Sequence, residues 1–206
     1  MILFEVGVII AIMMLLAVLL LPSLLRPRPS RSGINCVNNL KQIGLAYRIW
    51  AGDNGDKYPM QVSVTNGGAM ELAGAGNAST SFLVMSNELS TPKVVICPED
   101  AKSIRAADFG SGFSNSNVSY FVGLDADDTM PISLLSGDSN LAIGGVPVKS
   151  GLLGFPTNAP IAWTAARHVN QGNIGLADGS VGSASPALLH QMLVETGTAT
   201  NHLALP

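Results

Sequence analysis

The chain has 206 residues, of which 47% are hydrophobic and only 12% are charged, and its net charge is −3. A weakly acidic chain lacks the basic surface that binds nucleic acid, so we expect no nucleic-acid partner. The length suits one globular head and one helical segment outside it. With so few charges, the head must be covered largely by Ser, Thr, Asn and Gly, which favours an exported protein over a cytosolic enzyme.

Residues 1–25 are almost entirely apolar, with Glu5 as the single ionisable side chain. A helix of this length covers ~30 Å of hydrocarbon or more, which predicts a membrane span. A carboxylate in lipid costs ~2.5 kcal/mol or more, so Glu5 needs a dedicated partner. The nearest candidate is a free amine on Met1, from the same chain or from a neighbour.

A break in the helix is predicted after this segment. Pro22 is compatible with a kinked helix, whereas Pro27, Pro29 and Gly33 are hard to place in a continuous one. We therefore expect a Pro/Arg-rich break over residues 26–34. The alternative is one bent helix.

A second helix is predicted over residues 35–51. Cys36, Leu40, Ile43, Tyr47 and Trp50 recur at spacings of four, three, four and three residues. This periodicity places them on one face, which we expect to pack on a sheet. The turn residues at 52–56 end the helix.

The middle of the chain is predicted to be irregular. Residues 61–81 indicate a surface loop, residues 82–89 a short helix or strand, and residues 94–97 a buried strand that Pro98 ends. Asn77 and Asn117 each begin an Asn-x-Ser sequon, a common pattern that only weakly indicates N-glycosylation.

Cys36 and Cys97 are the two cysteines of the chain. Cys36 lies on the core face of the predicted helix and Cys97 ends the predicted strand, so the two can meet in a disulfide. Such a bridge closes a ~60-residue loop and adds ~4 kcal/mol in the chain-entropy model. Two buried thiols are the alternative.

The second half of the chain predicts a series of strands, over residues 119–123, 133–138, 159–165 and 173–177. Asp178 and Gly179 form a hairpin turn after the last of these. Nine residues separate His168 from Asp178, enough for the chain to return and bring the two close together. They would then belong to a metal or catalytic site or, in the interpretation we prefer, form a hydrogen bond that fixes the hairpin. A helix is expected over residues 186–195, and the tail that follows could dock on a neighbouring subunit.

Several of these features resemble one family of filament proteins. An apolar first residue, Glu5, the apolar run and Pro22 resemble the mature N-terminus of type IV pilins and of type II secretion pseudopilins. Residues 35–59, the Cys-Pro-x-Asp element at 97–100, and His168 followed by nine residues and Asp178-Gly179 resemble the pilin-like subgroup with a carboxy-terminal His-x9-Asp-Gly signature.

The resemblance implies an α+β, type IV pilin-like fold. A long N-terminal hydrophobic helix, broken near residues 22–33, would pack on an antiparallel β-sheet head. The implied domains are residues 1–25 as membrane span and then filament core, residues 26–34 as the break, and residues 35–206 as the head.

The same resemblance implies a structural subunit of an extracellular pilus-like or pseudopilus filament. A peptidase would remove a leader, the amine of Met1 would be methylated, and Glu5 would pair with the amine of a neighbouring subunit. The implied partners are further copies of the chain, the prepilin peptidase, an inner-membrane assembly platform and the lipid bilayer. The chain would reside in the inner membrane and then in a cell-surface filament. The alternatives are a minor pseudopilin and a membrane-anchored binding protein.

Pseudopilins of the major type bind calcium in carboxy-terminal loops, so the resemblance makes Asp125, Asp127, Asp128 and Asp138 a candidate calcium site. Ordinary acidic turns are the more common explanation for such residues. The sequence has no Gly-x-Ser-x-Gly, His-Glu-x-x-His or phosphate-loop motif. We therefore expect a protein that is not an enzyme.

Overall fold

A computed structural model describes residues 2–24 and 31–206, with side chains at positions 4–16, 18 and 33–206. It contains two compact units, Met1–Ser30 and Arg31–Pro206. Met1 and residues 25–30, which include the first five residues of the break predicted at 26–34, lie outside the described residues.

The first unit contains helix α1, Ile2–Leu24. Glu5 lies in its first turn, where a negative charge is favoured by the exposed N–H groups of the helix end. Pro22 lies in the last turn and does not end the helix, in agreement with the sequence-based expectation.

The predicted fold class is wrong in its helical part. In the two ranges described, no helix is both long enough and apolar enough to cross a membrane, a task that needs ~20 apolar residues in one helix. Within the second unit, helix α2, Arg31–Asp53, packs on the sheet, as the apolar stripe of the second predicted helix indicated. Residues 22–24 and 31–33 are also helical, so the predicted break does not include them.

Helix α2 is longer than the predicted 35–51 segment, but its buried face is the predicted one. The five side chains of the stripe are 0–6% exposed: Cys36, Leu40, Ile43, Tyr47 and Trp50. The helix ends as expected, because Asn54 donates from Nδ2 to the Trp50 carbonyl at 2.8 Å and Gly55 adopts φ 67°.

Residues 59–95 are helical where the sequence predicts a loop and a strand. They contain α3 (Met70–Gly74), α4 (Ala78–Val84), α5 (Ser86–Leu89) and 3₁₀ turns at Pro59–Gln61, Val64–Asn66 and Pro92–Val95. The predicted strand at 94–97 is wrong because Thr91 and Pro92 start a helical turn: the Thr91 hydroxyl accepts the Lys93 N–H at 3.4 Å, and proline suits the first helical position.

The remainder of the second unit is mostly β-structure. The strands are β1 (Tyr120–Gly123), β2 (Leu134–Asp138), β3 (Leu141–Ile143), β4 (Val146–Pro147), β5 (Gly151–Pro156), β6 (Ile161–Trp163), β7 (Gly172–Leu176), β8 (Val181–Ala184) and β9 (Thr200–Leu205). They form an antiparallel six-stranded sheet of order β5-β9-β1-β2-β7-β8 and a three-stranded sheet of order β4-β3-β6. The predicted strands at 119–123, 133–138 and 173–177 are thereby confirmed with small shifts at their ends.

The carboxy-terminal segment contains helix α6, Pro186–Glu195, as predicted. Its first turn is capped by Ser185, whose hydroxyl accepts the Leu188 N–H at 3.3 Å. The expectation that the tail docks on a neighbour is wrong for residues 200–205. They form β9, which lies between β5 and β1 and buries Leu203, Ala204 and Leu205.

The large sheet separates two apolar cores. On β1, Tyr120 and Val122 face the core beneath α2, whereas Phe121 faces the core beneath α6 and the small sheet. Both faces of β1 are therefore buried, and none of its four residues is charged.

Substitution of Ile43 tests the packing of α2. Ile43 is 0% exposed, whereas Ile49 on the same helix is 47% exposed. We expect Ile43→Ala to lower the free energy of unfolding by ~2–5 kcal/mol, because it leaves a cavity, and Ile49→Ala to change it by less than ~0.5 kcal/mol. Urea denaturation of the two variants measures the difference; equal losses would contradict the placement of α2.

Candidate functional site

The Cys-Pro-x-Asp element and His168 meet at one end of the sheet. Cys97 forms a disulfide with Cys36 of α2, with the two Cα atoms 5.3 Å apart and both side chains fully buried. The predicted disulfide is confirmed, although Cys97 follows a 3₁₀ turn and not a strand. The bridge fixes the start of the Cys97–Asp100 segment against α2.

Asp138, the last residue of β2, lies at the centre of this region and is 0% exposed. Its Oδ2 accepts the backbone N–H of Asn173 at 2.7 Å and the Nδ2 of the same residue at 2.8 Å. The Oδ2 also lies 3.3 Å from His168 Nε2, and the Oδ1 lies 3.7 Å from Arg167 Nη1. A carboxylate buried this deeply needs such partners, because its desolvation is otherwise very costly.

Arg167 supplies the positive charge and is 7% exposed. Its Nη1 donates to the Ser119 carbonyl at 2.8 Å and lies 3.4 Å from Asp100 Oδ2, while its Nη2 donates to Ser139 Oγ at 2.7 Å. The guanidinium thus lies between Asp100 and Asp138 and links two segments that are far apart in the sequence.

His168 has an unusual backbone conformation. His168, Val169 and Asn170 have φ values of 52°, 51° and 59°, three successive residues in the left-handed region that is unfavourable for side chains with a Cβ. Glu99 holds the first of them, because its Oε2 accepts the His168 N–H at 2.9 Å and lies 2.9 Å from Nδ1. The backbone strain is therefore maintained by specific contacts.

The loop that carries His168 is also held from the other side. The Nδ2 of Asn140 lies 3.1, 3.3 and 3.3 Å from the carbonyl oxygens of Thr164, Arg167 and Gln171, which share its two N–H donors. One side chain therefore gathers three carbonyls of the loop that precedes β7.

The charges in the network shift each other's pKa values. Burial alone would raise the pKa of Asp100, but hydrogen bonds from Ser103 and the charge of Arg167 lower it below its ordinary value. Burial alone would lower the pKa of His168, but the hydrogen bond and charge of Asp138 and the charge of Glu99 raise it. Each acid or base is therefore stabilised in its charged form.

The network has few features of a catalytic site. The guanidinium of Arg167 forms ion pairs with Asp100 and Asp138. It also donates hydrogen bonds to the Ser119 carbonyl and the Ser139 hydroxyl. A cleft of about 380 Å³ lies alongside, lined in part by Asp100, Asn140 and Arg167. The arrangement mainly joins the Cys97 segment, β2 and the His168 loop.

His168 and Asp178 do not form the predicted pair. They lie beyond opposite ends of β7, so the intervening residues separate them instead of returning the chain. The Asp178 Oδ1 accepts the Ser180 N–H at 2.7 Å, and Gly179 has φ 84°, so the predicted hairpin turn is present. The prediction that a hydrogen bond from His168 fixes this turn is wrong, because Asp178 accepts from Ser180.

The four acids of the predicted calcium site lie in different environments. Asp125 accepts the His202 N–H at 2.6 Å, and Asp127 accepts from Gln61 Nε2 at 2.7 Å, whereas Asp138 belongs to the network described above. Asp128 is exposed. The structure therefore does not bring Asp138 together with the other three as a shared ligand set.

A different group has the spacing of metal ligands. The ligand atoms of Cys36, Cys97 and His168 all lie within 4.8 Å of one another. Within residues 2–24 and 31–206, no other group of three or more His, Cys, Asp or Glu side chains has a spacing that could hold a metal ion.

The sequons differ in exposure. Asn117 is 6% exposed and its Nδ2 donates to the Ile104 carbonyl at 2.8 Å, so the folded chain does not present this amide to a sugar. Asn77 is half-buried, and its Oδ1 accepts the Ser79 hydroxyl at 2.8 Å.

Sequence reasoning missed the roles of Glu99, Asp100, Arg167 and Asn173. Two signals were available: Glu99 and Asp100 belong to the Cys-Pro-x-Asp element, and Arg167 precedes His168 in a chain with only 12% charged residues. Neither signal identifies the partner of each charge, because the contacts join distant segments.

Removal of the Asp100 charge tests the network. We expect Asp100→Asn to lower the free energy of unfolding at pH 7 by roughly 1–3 kcal/mol, because Arg167 loses an ionic partner. Since the folded-state pKa of Asp100 is lowered, its contribution is present above the unfolded-state pKa and is lost as pH falls through the folded-state pKa. The difference between wild type and variant should therefore shrink on acidification.

Urea denaturation from neutral pH to below about pH 4 measures this dependence. Asp108→Asn is the matched control, since Asp108 is exposed and accepts only the nearby Gly110 N–H. A pH-independent difference for Asp100→Asn, or the same profile for the control, would contradict the assignment.

Comparisons with known proteins provide no relative for this architecture. No protein-family model, no curated protein and no solved structure matches the chain. The functional argument therefore depends on the residues and the geometry themselves.

Proposed function

We propose that the chain is a structural subunit of a helical, pilin-like filament whose copies associate through α1. The observation that carries this proposal is the exposure of apolar side chains along α1. Eleven large ones are 43–78% exposed: Phe4, Val6, Val8, Ile9, Ile10, Ile12, Met13, Met14, Leu15, Leu16 and Val18.

Such a helix favours burial against another apolar surface. Each large apolar side chain that is removed from water contributes ~1.5–3 kcal/mol. Exposed apolar side chains this numerous and contiguous mark an interaction site. The α1 helices of further copies provide an apolar surface of matching length, and repetition of one contact generates a filament.

Glu5 is the polar exception among these side chains. It is exposed in the first turn of α1, so it is accessible to a group on another copy. Burial of an unpaired carboxylate is costly, and a register that pairs Glu5 with an amine of the neighbouring subunit is therefore preferred over other registers. Glu5 would thus set the axial position of each subunit.

The head suits an extracellular filament. Its disulfide is of a kind that persists in oxidising compartments, and the buried charge network joins segments that the disulfide does not reach. Both features restrict local opening, which is the route by which proteases act on folded proteins.

Charge insertion into α1 tests the proposal. We expect Ile9→Asp with Met13→Asp to abolish filaments, because two carboxylates would enter the shared apolar core. Ile104→Asp is the matched control, since Ile104 is 64% exposed in the second unit, against 60% for Ile9 and 67% for Met13. Electron microscopy and sedimentation velocity of the full chain measure assembly.

Glu5→Ala tests the register role separately. We expect shorter, fewer or irregular filaments, with Glu195→Ala as a control because Glu195 is exposed and accepts only from Gln191 on its own helix. Discrete monomers of wild type would contradict the filament proposal. Normal filaments from Glu5→Ala would contradict the register role alone.

A further inference from the structure

The disulfide and His168 form a more specific arrangement than a structural bridge requires. His168 Nε2 lies 3.3 Å from Cys97 Sγ and 3.3 Å from Asp138 Oδ2. Two ligands of a tetrahedral zinc ion lie roughly 3.4–3.6 Å apart when Zn–N and Zn–O are ~2.0–2.1 Å and Zn–S is ~2.3 Å. The imidazole nitrogen therefore already lies at nearly the spacing of two zinc ligands from the sulfur, and Asp138 lies on its other side.

The opposite side of the imidazole has the partner that zinc sites use. Histidines that bind metal usually donate their second ring N–H to a carboxylate, which fixes the tautomer and the ring orientation. His168 Nδ1 lies 2.9 Å from Glu99 Oε2, and the same oxygen accepts the His168 backbone N–H at 2.9 Å. With Nδ1 held by Glu99 in this way, Nε2 faces the sulfur and Asp138, and it becomes a metal ligand when it gives up its own proton.

The carboxylate of Asp138 gives a second, independent indication. It is 0% exposed, and among the described residues its Oδ1 has no hydrogen-bond partner, with Arg167 Nη1 at 3.7 Å. A buried carboxylate with one unsatisfied oxygen carries negative charge that is not fully compensated, and this charge beside Nε2 favours a cation at the neighbouring sulfurs.

We propose that the thiol form of this chain binds one Zn²⁺ through Cys36 Sγ, Cys97 Sγ and His168 Nε2, with a water molecule as the fourth ligand and Glu99 orienting the histidine. In this form the S–S bond is absent, and the two sulfurs are free to separate to roughly 3.8 Å, the spacing of two thiolates on one zinc ion. On binding, each cysteine loses its thiol proton and the charged form of His168 loses the proton on Nε2, so that form takes up one Zn²⁺ and releases three H⁺ to solvent.

The proposed site has a consequence for the strained loop. In the disulfide form, His168 is joined to the Cys97 segment only by hydrogen bonds and ion pairs. In the zinc form, coordination would join α2, the Cys97 segment and the His168 loop at one point. Zinc binding would therefore hold these segments together in the thiol form, before Cys36 and Cys97 are oxidised to the disulfide.

Cobalt binding to the full chain tests the proposal. A phosphine reductant converts the disulfide to two thiols: the phosphine is oxidised to its oxide with oxygen from water, and each sulfur takes one proton and one electron. We expect one equivalent of Co²⁺ to give a thiolate-to-cobalt charge-transfer band and the intense d–d bands of tetrahedral coordination, and Zn²⁺ to remove both. The unreduced chain should give neither.

Histidine variants identify the nitrogen ligand. We expect His168→Ala to weaken Co²⁺ binding at least 10-fold and His202→Ala, the matched control, to leave it unchanged. Glu99→Gln should weaken it by ~10-fold, as loss of an orienting partner does in other sites. Because Glu99→Gln retains His168, it tests the site even if the His168→Ala variant does not fold.

The outcomes separate clearly. Absence of the thiolate-to-cobalt band in reduced wild type overturns the proposal. Equal Co²⁺ binding by the His168 and His202 variants overturns the assignment, since it would show that the thiols bind without this histidine. Zn²⁺ should also raise the melting temperature of the reduced chain and leave that of the oxidised chain unchanged.

Discussion

The head of this protein depends on one buried carboxylate. Asp138 is completely inaccessible, so its charge has to be met by groups of the chain itself. Those groups come from β7, from the loop before it and, through Arg167, from the Cys97 segment. Because the compensation comes from so many directions, the end of the sheet, the disulfide segment and the His168 loop have to be correct together.

The network also accounts for a backbone that would otherwise be unfavourable. Three successive left-handed residues at 168–170 each cost of order 1 kcal/mol or more. Glu99 engages both the backbone and the ring of His168, and Asn140 gathers the carbonyls around it. The strained loop and the buried charges are thus two parts of one arrangement, since the same side chains take part in both.

Local sequence signals predicted much of the fold. The four-three spacing in α2, the Ser185-Pro186 start of α6 and the Asp178-Gly179 turn each depend on neighbours in the chain, and each is present. The signals failed where contacts between distant segments determine the structure. The sequence places Asp138 with nearby acids in a calcium site, but Asp138 is buried and lies beside Arg167 and His168. They also failed at residues 94–97, where the Thr91-Pro92 start outweighs a β-branched run, and at the membrane helix, which no described helix satisfies.

The position of β9 has a consequence for the order of folding. This strand is the last in the sequence, yet it lies between β5 and β1. Until it is synthesised, both neighbours expose unpaired backbone groups on an open edge, a state that promotes association with other chains. The nascent chain therefore cannot complete its sheet by adding strands in sequence, because β5 joins the large sheet only through β9.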